Sequence, residues 1–168
     1  MSARLSVERL RELLAYDPGT GLFTWLVSRG PAKAGALAGS LSPIGYFQIR
    51  IDQTLYYVHR LAWLYMTGEW PKDQIDHADG NKTNNRFANL REATQSENSA
   101  NTGLRSHNTS GFKGAYWIAE RQKWLASINI EGRTKFLGYF LTAEEAHAAY
   151  KTAAERRFGA FAQPARRA

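Results

Sequence analysis

Between Ile75 and Thr94 the chain reads IDHADGNKTNNRFANLREAT, twenty residues with four Asn and only Ile75, Phe87 and Leu90 strongly apolar. No helical or strand period of apolar residues runs through it, so the segment cannot bury a face of its own. Its neighbours must hold it in place. A long polar loop kept inside a compact domain is usually there for function, and the rest of the fold has to be built around this one.

The flanks supply short elements. Leu5, Leu10, Leu13 and Leu14 have helical spacing, with a stop expected where Asp17, Pro18, Gly19 and Gly21 form a turn. A short strand over 22–26 follows, and 29–42, rich in Gly, Ala, Ser and Pro, reads as an irregular loop. YFQIRIDQTLYYV at 46–58 is a hairpin signal, with Asp52, Gln53 and Thr54 between two β-rich runs. HRLAWLYM at 59–66 is an apolar helix ended by Thr67 and Gly68. Beyond the polar segment, Thr94 and Glu97 form a capping box that opens another helix.

Hydrolysis of a phosphodiester needs a hard cation to polarise the phosphate and a base to deprotonate water near neutral pH. The chain has no cysteine, which excludes disulfide scaffolds, thiolate zinc sites and thiol nucleophiles, so any metal is held by oxygen or imidazole. Asp76 and His77 place a carboxylate beside an imidazole at the head of the polar loop; Asn89 and Asn98 follow. Carboxylate and amide oxygens suit Mg2+ or Mn2+, which makes Asp76 and Asn98 the candidate metal ligands. His77 is the candidate general base, with Asn89 as the group that fixes its tautomer. Asn84 and Asn85 read as Asx-turn residues, and His59 as a structural or phosphate-contacting residue.

These residues carry a resemblance. DH at 76–77, DGNKTNNRFANLR at 79–91 and EN at 97–98, with HRLAW at 59–63 and the GYFQIRI hairpin upstream, resemble the HNH, or ββα-metal, nucleases, especially their homing-endonuclease branch. The resemblance implies a histidine base at His77, the second motif residue at Asn89 and a metal ligand at Asn98, where the family's name has His. It also matches Asp76 to a metal carboxylate, fits a strand, loop, strand, helix order and implies a phage or mobile-element origin.

The second half has a different charge. Residues 1–104 hold 11 Lys and Arg against 10 Asp and Glu, a net of +1, whereas 105–168 hold 11 against 5, a net of +6. Such a basic block attracts polyanions. Polar TGLRSHNTSG at 102–111 reads as a linker, and three strand-like runs at 114–118, 124–130 and 134–139 precede a helix over 143–158 capped by Thr142 and Glu145. KGAYW at 113–117, KWLASI at 123–128, FLGYF at 136–140 and TAEEAHAAY at 142–150 resemble the AP2/ERF DNA-binding domain, which implies a three-stranded sheet lying in the DNA major groove. Two-residue periodicity puts Trp124, Ala126, Ile128 and Ile130 toward the helix, with Trp124 in the core, and Ser127 and Asn129 toward DNA. Lys113, Tyr116, Arg121, Lys123, Arg133 and Lys135 join them as candidates, the rim cations being suited to phosphates. His107 and His147 read as solvent-facing or locally packed.

The expectation is an α+β chain: an HNH nuclease domain over 1–102, a linker over 103–111, an AP2/ERF-like domain over 112–163 and a basic tail over 164–168. Its partner is double-stranded DNA and its cofactor Mg2+ or Mn2+, with one nick per monomer; monomer and homodimer both stay open. A DNA-binding regulator with an inactive HNH region is the alternative. No apolar run approaches the ~18 residues of a membrane span, and the charged N-terminal helix does not read as a signal peptide, so a cytoplasmic location is expected.

Overall fold

A computed structural model describes residues 4–104 and 108–162; His107 and the basic tail 164–168 lie outside the described residues. The chain divides into two compact units, Met1–Glu92 and Ala93–Ala168. The division falls before the polar segment 103–111, because Ala100 packs into the core of the second unit.

In the first unit, Ser6 caps helix α1 (Val7–Leu13) by accepting from the Arg9 N–H. The helix ends a turn before the Asp17 stop. Leu14 and Tyr16 alternate with Ala15, and the chain switches to a two-residue period, forming β1 (Leu14–Asp17) against β2 (Leu22–Trp25) with Leu14 opposite Trp25 and Tyr16 opposite Phe23. The segment expected to be irregular contributes two short strands: β3 (Leu37–Ala38) joins β2, and β4 (Ser40–Leu41) joins β5 (Phe47–Ile51). Strand β6 (Thr54–Tyr57) completes the expected hairpin through a two-residue turn in which Asp52 and Gln53 take φ of 45° and 67°.

Helix α2 (Val58–Thr67) stops at Gly68, whose φ of 81° makes the left-handed cap. Then β7 (Gln74–His77) pairs with β8 (Leu90–Ala93), with a 3-10 turn Phe87–Asn89 between them. Leu10, Leu14, Phe23, Ile49, Ile51, Leu61 and Leu64 are fully buried and pin α1, α2 and the two hairpins together. Each such side chain stabilises by about 1.5–3 kcal/mol relative to exposure. That core is the platform under β7.

The second unit opens with α3 (Gln95–Asn101), in which Thr94 and Glu97 form the reciprocal capping box. Strands β9 (Ala115–Ile118), β10 (Lys123–Ile130) and β11 (Arg133–Phe140) form an antiparallel sheet in the order β11, β10, β9, and α4 (Ala143–Phe158) covers one face. Ala126, Ile128, Ala146, Tyr150, Ala154 and Phe158 build its core, with Trp124 half-buried against it. Gly114 sits at φ 77° where a Cβ would fall 2.2 Å from the Tyr150 ring, so no other residue fits there. No helix among the described residues is long and apolar enough to cross a membrane.

Candidate active site

Strand β7 carries Ile75, Asp76 and His77 into the edge of the first core, and all three are buried. A buried carboxylate requires a counter-charge. Arg91, from the paired strand β8, supplies it: Nε and one terminal nitrogen reach the same Asp76 Oδ2 at 2.9 and 2.8 Å. Asp76 is 4% exposed, so its charge is held by this guanidinium rather than by water. Arg91 was not singled out from sequence; its place across from Asp76 follows from the β7–β8 pairing.

The His77 ring is equally buried, and its Nε2 lies 3.1 Å from Asn85 Oδ1. The Asn85 amide is oriented by its own Nδ2, which donates to the Thr83 carbonyl at 3.2 Å. Oδ1 therefore faces the imidazole and accepts from Nε2. Burial lowers the His77 pKa, against the opposing influence of Asn85, Asp79 and Asp76. The ring is thus neutral at pH 7, the state a general base requires.

This assignment corrects the expected role of Asn89. Its Oδ1 accepts from the Asp79 N–H at 3.0 Å, and its Nδ2 donates to Asp79 Oδ1 at 2.9 Å and to the Asn84 carbonyl at 2.8 Å. Asn89 closes the polar loop on itself, while Asn85, expected only to make a turn, holds the histidine. Asp79 gathers the loop: burial raises its pKa, but hydrogen bonds from Asn84, Asn81 and Asn89 outweigh that and leave it lowered.

The loop is also clamped from outside. Tyr16 Oη donates to the Asn85 carbonyl at 2.7 Å, and the Phe87 N–H donates to the Pro18 carbonyl at 3.3 Å. Gly21, at φ 77°, lies where a Cβ would come within 2.5 Å of the Arg86 nitrogen and the Asn85 carbonyl carbon. The β1–β2 turn therefore packs directly onto the backbone that carries Asn85.

His59, at the start of α2, meets His77 edge to face with ring centroids 5.1 Å apart and stacks on Tyr57 at 5.5 Å. Its Nδ1 is buried without a hydrogen-bond partner. Burial, with His77 and Arg60 nearby, pushes its pKa down to about 3. Tyr46 packs against both imidazoles. His59 is thus buried among aromatic rings.

Asn98 lies on α3, in the second compact unit, whereas Asp76, His77 and Asn89 belong to the first. Among the described residues no three His, Cys, Asp or Glu side chains gather as a metal cluster. The oxygen donors available are one buried carboxylate and amides, a set that suits a hard cation completing its shell with water.

The candidate DNA-contacting residues separate into three groups. Lys123, Ser127 and Asn129 share the sheet face turned away from α4, as does Tyr116 opposite Leu125, and the Arg121 guanidinium lies over the Tyr139 ring on that face at 4.9 Å. Arg133 and Lys135 instead pair with Ile130 and Ile128, on the α4 side. Lys113 is spent within the unit: its Nζ donates to the carbonyls of Ser99, Ala100 and Thr102, closing the C-terminus of α3. The His147 Nδ1 lies 2.8 Å from the Lys113 carbonyl, a local contact.

Residues 56–100 match the HNH endonuclease family. The chain is 42% identical over 76 residues to Protein 3.8 of Escherichia phage T7, covering 45% of this chain and 63% of that protein. It is 35% identical over 120 residues to an uncharacterized HNH endonuclease of Acanthamoeba polyphaga mimivirus, covering 70% of this chain and 62% of that one. The matches thus span less than two thirds of either relative. No solved structure matches the chain. The segment that holds Asp76, His77, Asn85, Asn89 and Arg91 is thus the part of the chain that is similar to the HNH endonuclease family.

Proposed function

We propose that this protein is a divalent-metal-dependent DNA endonuclease that hydrolyses a phosphodiester with His77 as general base. The observation that carries this reading is the buried pair Asp76 and His77 at the end of β7, inside the HNH-matched segment, with the imidazole kept neutral by burial and oriented by Asn85.

The chemistry follows from the protonation state. The His77 imidazole takes a proton from the attacking water while Nε2 stays bonded to Asn85, so the ring cannot turn away as it becomes charged. Asp76, with Asp79 nearby, favours the imidazolium that forms. Arg91 fixes the Asp76 carboxylate in place. Asp76 and Asn98 are the proposed ligands for Mg2+ or Mn2+, which when bound supplies positive charge to the phosphate and the leaving oxygen. Asn89 supports the site by shaping the loop.

The second unit is proposed to grip DNA through its three-stranded sheet, the element that the AP2/ERF resemblance assigns to DNA binding. One site per chain makes a nick in one strand the elementary product, of the kind homing-type enzymes of mobile DNA start from.

The test is incubation of the purified chain with supercoiled plasmid and Mg2+ or Mn2+ at low salt, beside EDTA and His77→Ala controls. Nicked circles lost in both controls are expected, with His77→Ala lowering the rate by roughly 10²–10⁴-fold. Cleavage that survives His77→Ala would remove His77 as the base. DNA retention on a gel without any cleavage, on plasmid and on source-genome DNA alike, would favour a regulator with an inactive HNH domain.

A further inference from the structure

The sheet of the second unit leaves an aromatic surface open. Tyr116 and Tyr139 flank Leu125 from the two neighbouring strands, and Phe136 pairs with Ser127, the next outward position on β10. Two-residue alternation alone would put Phe136 and Tyr139 on opposite faces. A register shift between Ala126 and Ser127, opposite Gly138 at φ 144°, inserts one residue and brings both rings to the same side, with centroids 5.1 Å apart. Tyr116 and Phe136 are 53% and 54% exposed. The inserted residue, Leu137, packs against the core, and Phe136 and Tyr139 are left together on the outward face.

Charge identifies what such a surface meets. None of the three strands contains an acidic residue. Lys123 shares the outward face, and the Arg121 guanidinium lies over the Tyr139 ring. Exposed rings interleaved with cations match a polyanion that also offers flat apolar faces, which is a nucleic acid. The arrangement is poor for reading a closed duplex, whose bases present only their edges in the groove; those edges are met by bidentate Arg, Asn or Gln side chains. Ring faces engage bases that are unstacked.

We infer that the outward face of the β9–β10–β11 sheet is a stacking platform for the bases of single-stranded DNA, with Tyr116, Phe136 and Tyr139 as the rings and Arg121 and Lys123 as the backbone contacts. The inference rests on the DNA-grip reading and sharpens it: the grip takes hold where the strands are open, so the nuclease unit is delivered to DNA that is already partly unwound.

The experiment is fluorescence anisotropy of the full chain in EDTA, which prevents cleavage, with a labelled DNA oligonucleotide single-stranded and annealed to its complement. The single strand is expected to bind more tightly. Tyr116→Leu and Phe136→Leu keep an apolar side chain but lose the ring, and each is expected to weaken single-strand binding by about tenfold. Tyr116→Phe keeps the ring and should keep the affinity. Thermal melts monitored by circular dichroism confirm that each variant is folded.

Duplex binding as tight as single-strand binding, or Leu variants that bind the single strand like the parent, would overturn the inference while leaving the DNA grip intact. Absence of binding to both forms would remove the grip as well. Loss of a dimer in sedimentation on Tyr116→Leu, with single-strand affinity unchanged, would assign the face to a second copy of the chain instead.

Discussion

His59 and His77 illustrate how burial sets the protonation of a single residue and through it the behaviour of the protein with pH. Both have pKa values below the ordinary 6.5, because desolvation penalises the imidazolium, and His59 is pushed down to about 3 with His77 and Arg60 adding to its burial. The unfolded chain therefore binds protons that the folded chain refuses. Their contribution to stability is fully present above about pH 6.5 and is lost as the pH falls below it, continuing for His59 down toward about 3. Each such group removes about 1.4 kcal/mol per pH unit within that window. Urea unfolding between pH 7.5 and about pH 4.5, a range set by that window, is expected to show this decline, with a shallower slope in His59→Phe, which keeps the stacking on Tyr57 but cannot take a proton. Parallel slopes for parent and variant would mean that His59 is not buried as a neutral ring.

At the scale of elements, the site depends on a turn distant in sequence. Gly21 ends the β1–β2 turn against the backbone of Asn85 and Arg86, and Gly30 provides the comparison: it also has a positive φ, 55°, but nothing within 4 Å of a Cβ. Gly21→Ala is expected to destabilise by well over the roughly 1–2 kcal/mol that a left-handed alanine costs, and to slow nicking, because the displaced loop carries the Asn85 amide away from His77. Gly30→Ala should cost about the strain alone and leave nicking unchanged. Equal losses of stability and activity in the two would show that the turn does not support the loop.

The same elements separate what was legible in the sequence from what was not. Both capping boxes, the Asp52–Gln53 hairpin turn and the order strand, loop, strand, helix around the polar segment are local patterns, and they appear where expected. Asp76 and His77 are placed together because they are neighbours. The choice between Asn85 and Asn89, the pairing of Arg91 with Asp76, the use of Lys113 on α3 and the outward turn of Phe136 depend on approaches between segments or on a bulge that breaks periodicity. Four asparagines of like chemistry cannot be sorted by spacing when their bonds are decided by how the loop folds back.

For the molecule as a whole, charge is divided as the proposed labour is: +1 over 1–104 and +6 over 105–168. A uniform basic surface and a dedicated nucleic-acid face make different predictions for salt. Each Lys or Arg that neutralises a phosphate releases a counterion and steepens the fall of log K with log salt by about 0.9 on duplex DNA and about 0.7 on a single strand. Lys123 lies on the outward sheet face, whereas Lys113, although equally charged, has its Nζ committed to three carbonyls of α3. Lys123→Met is therefore expected to reduce the slope by close to one phosphate contact. Lys113→Met should leave the slope unchanged and lower the thermal stability of the second unit through the unsatisfied end of α3. Anisotropy titrations of the full chain across a salt series, in EDTA, measure both. Equal reductions from the two lysines would mean that DNA reads the total charge of this half of the chain, and that the sheet face holds no privileged contact.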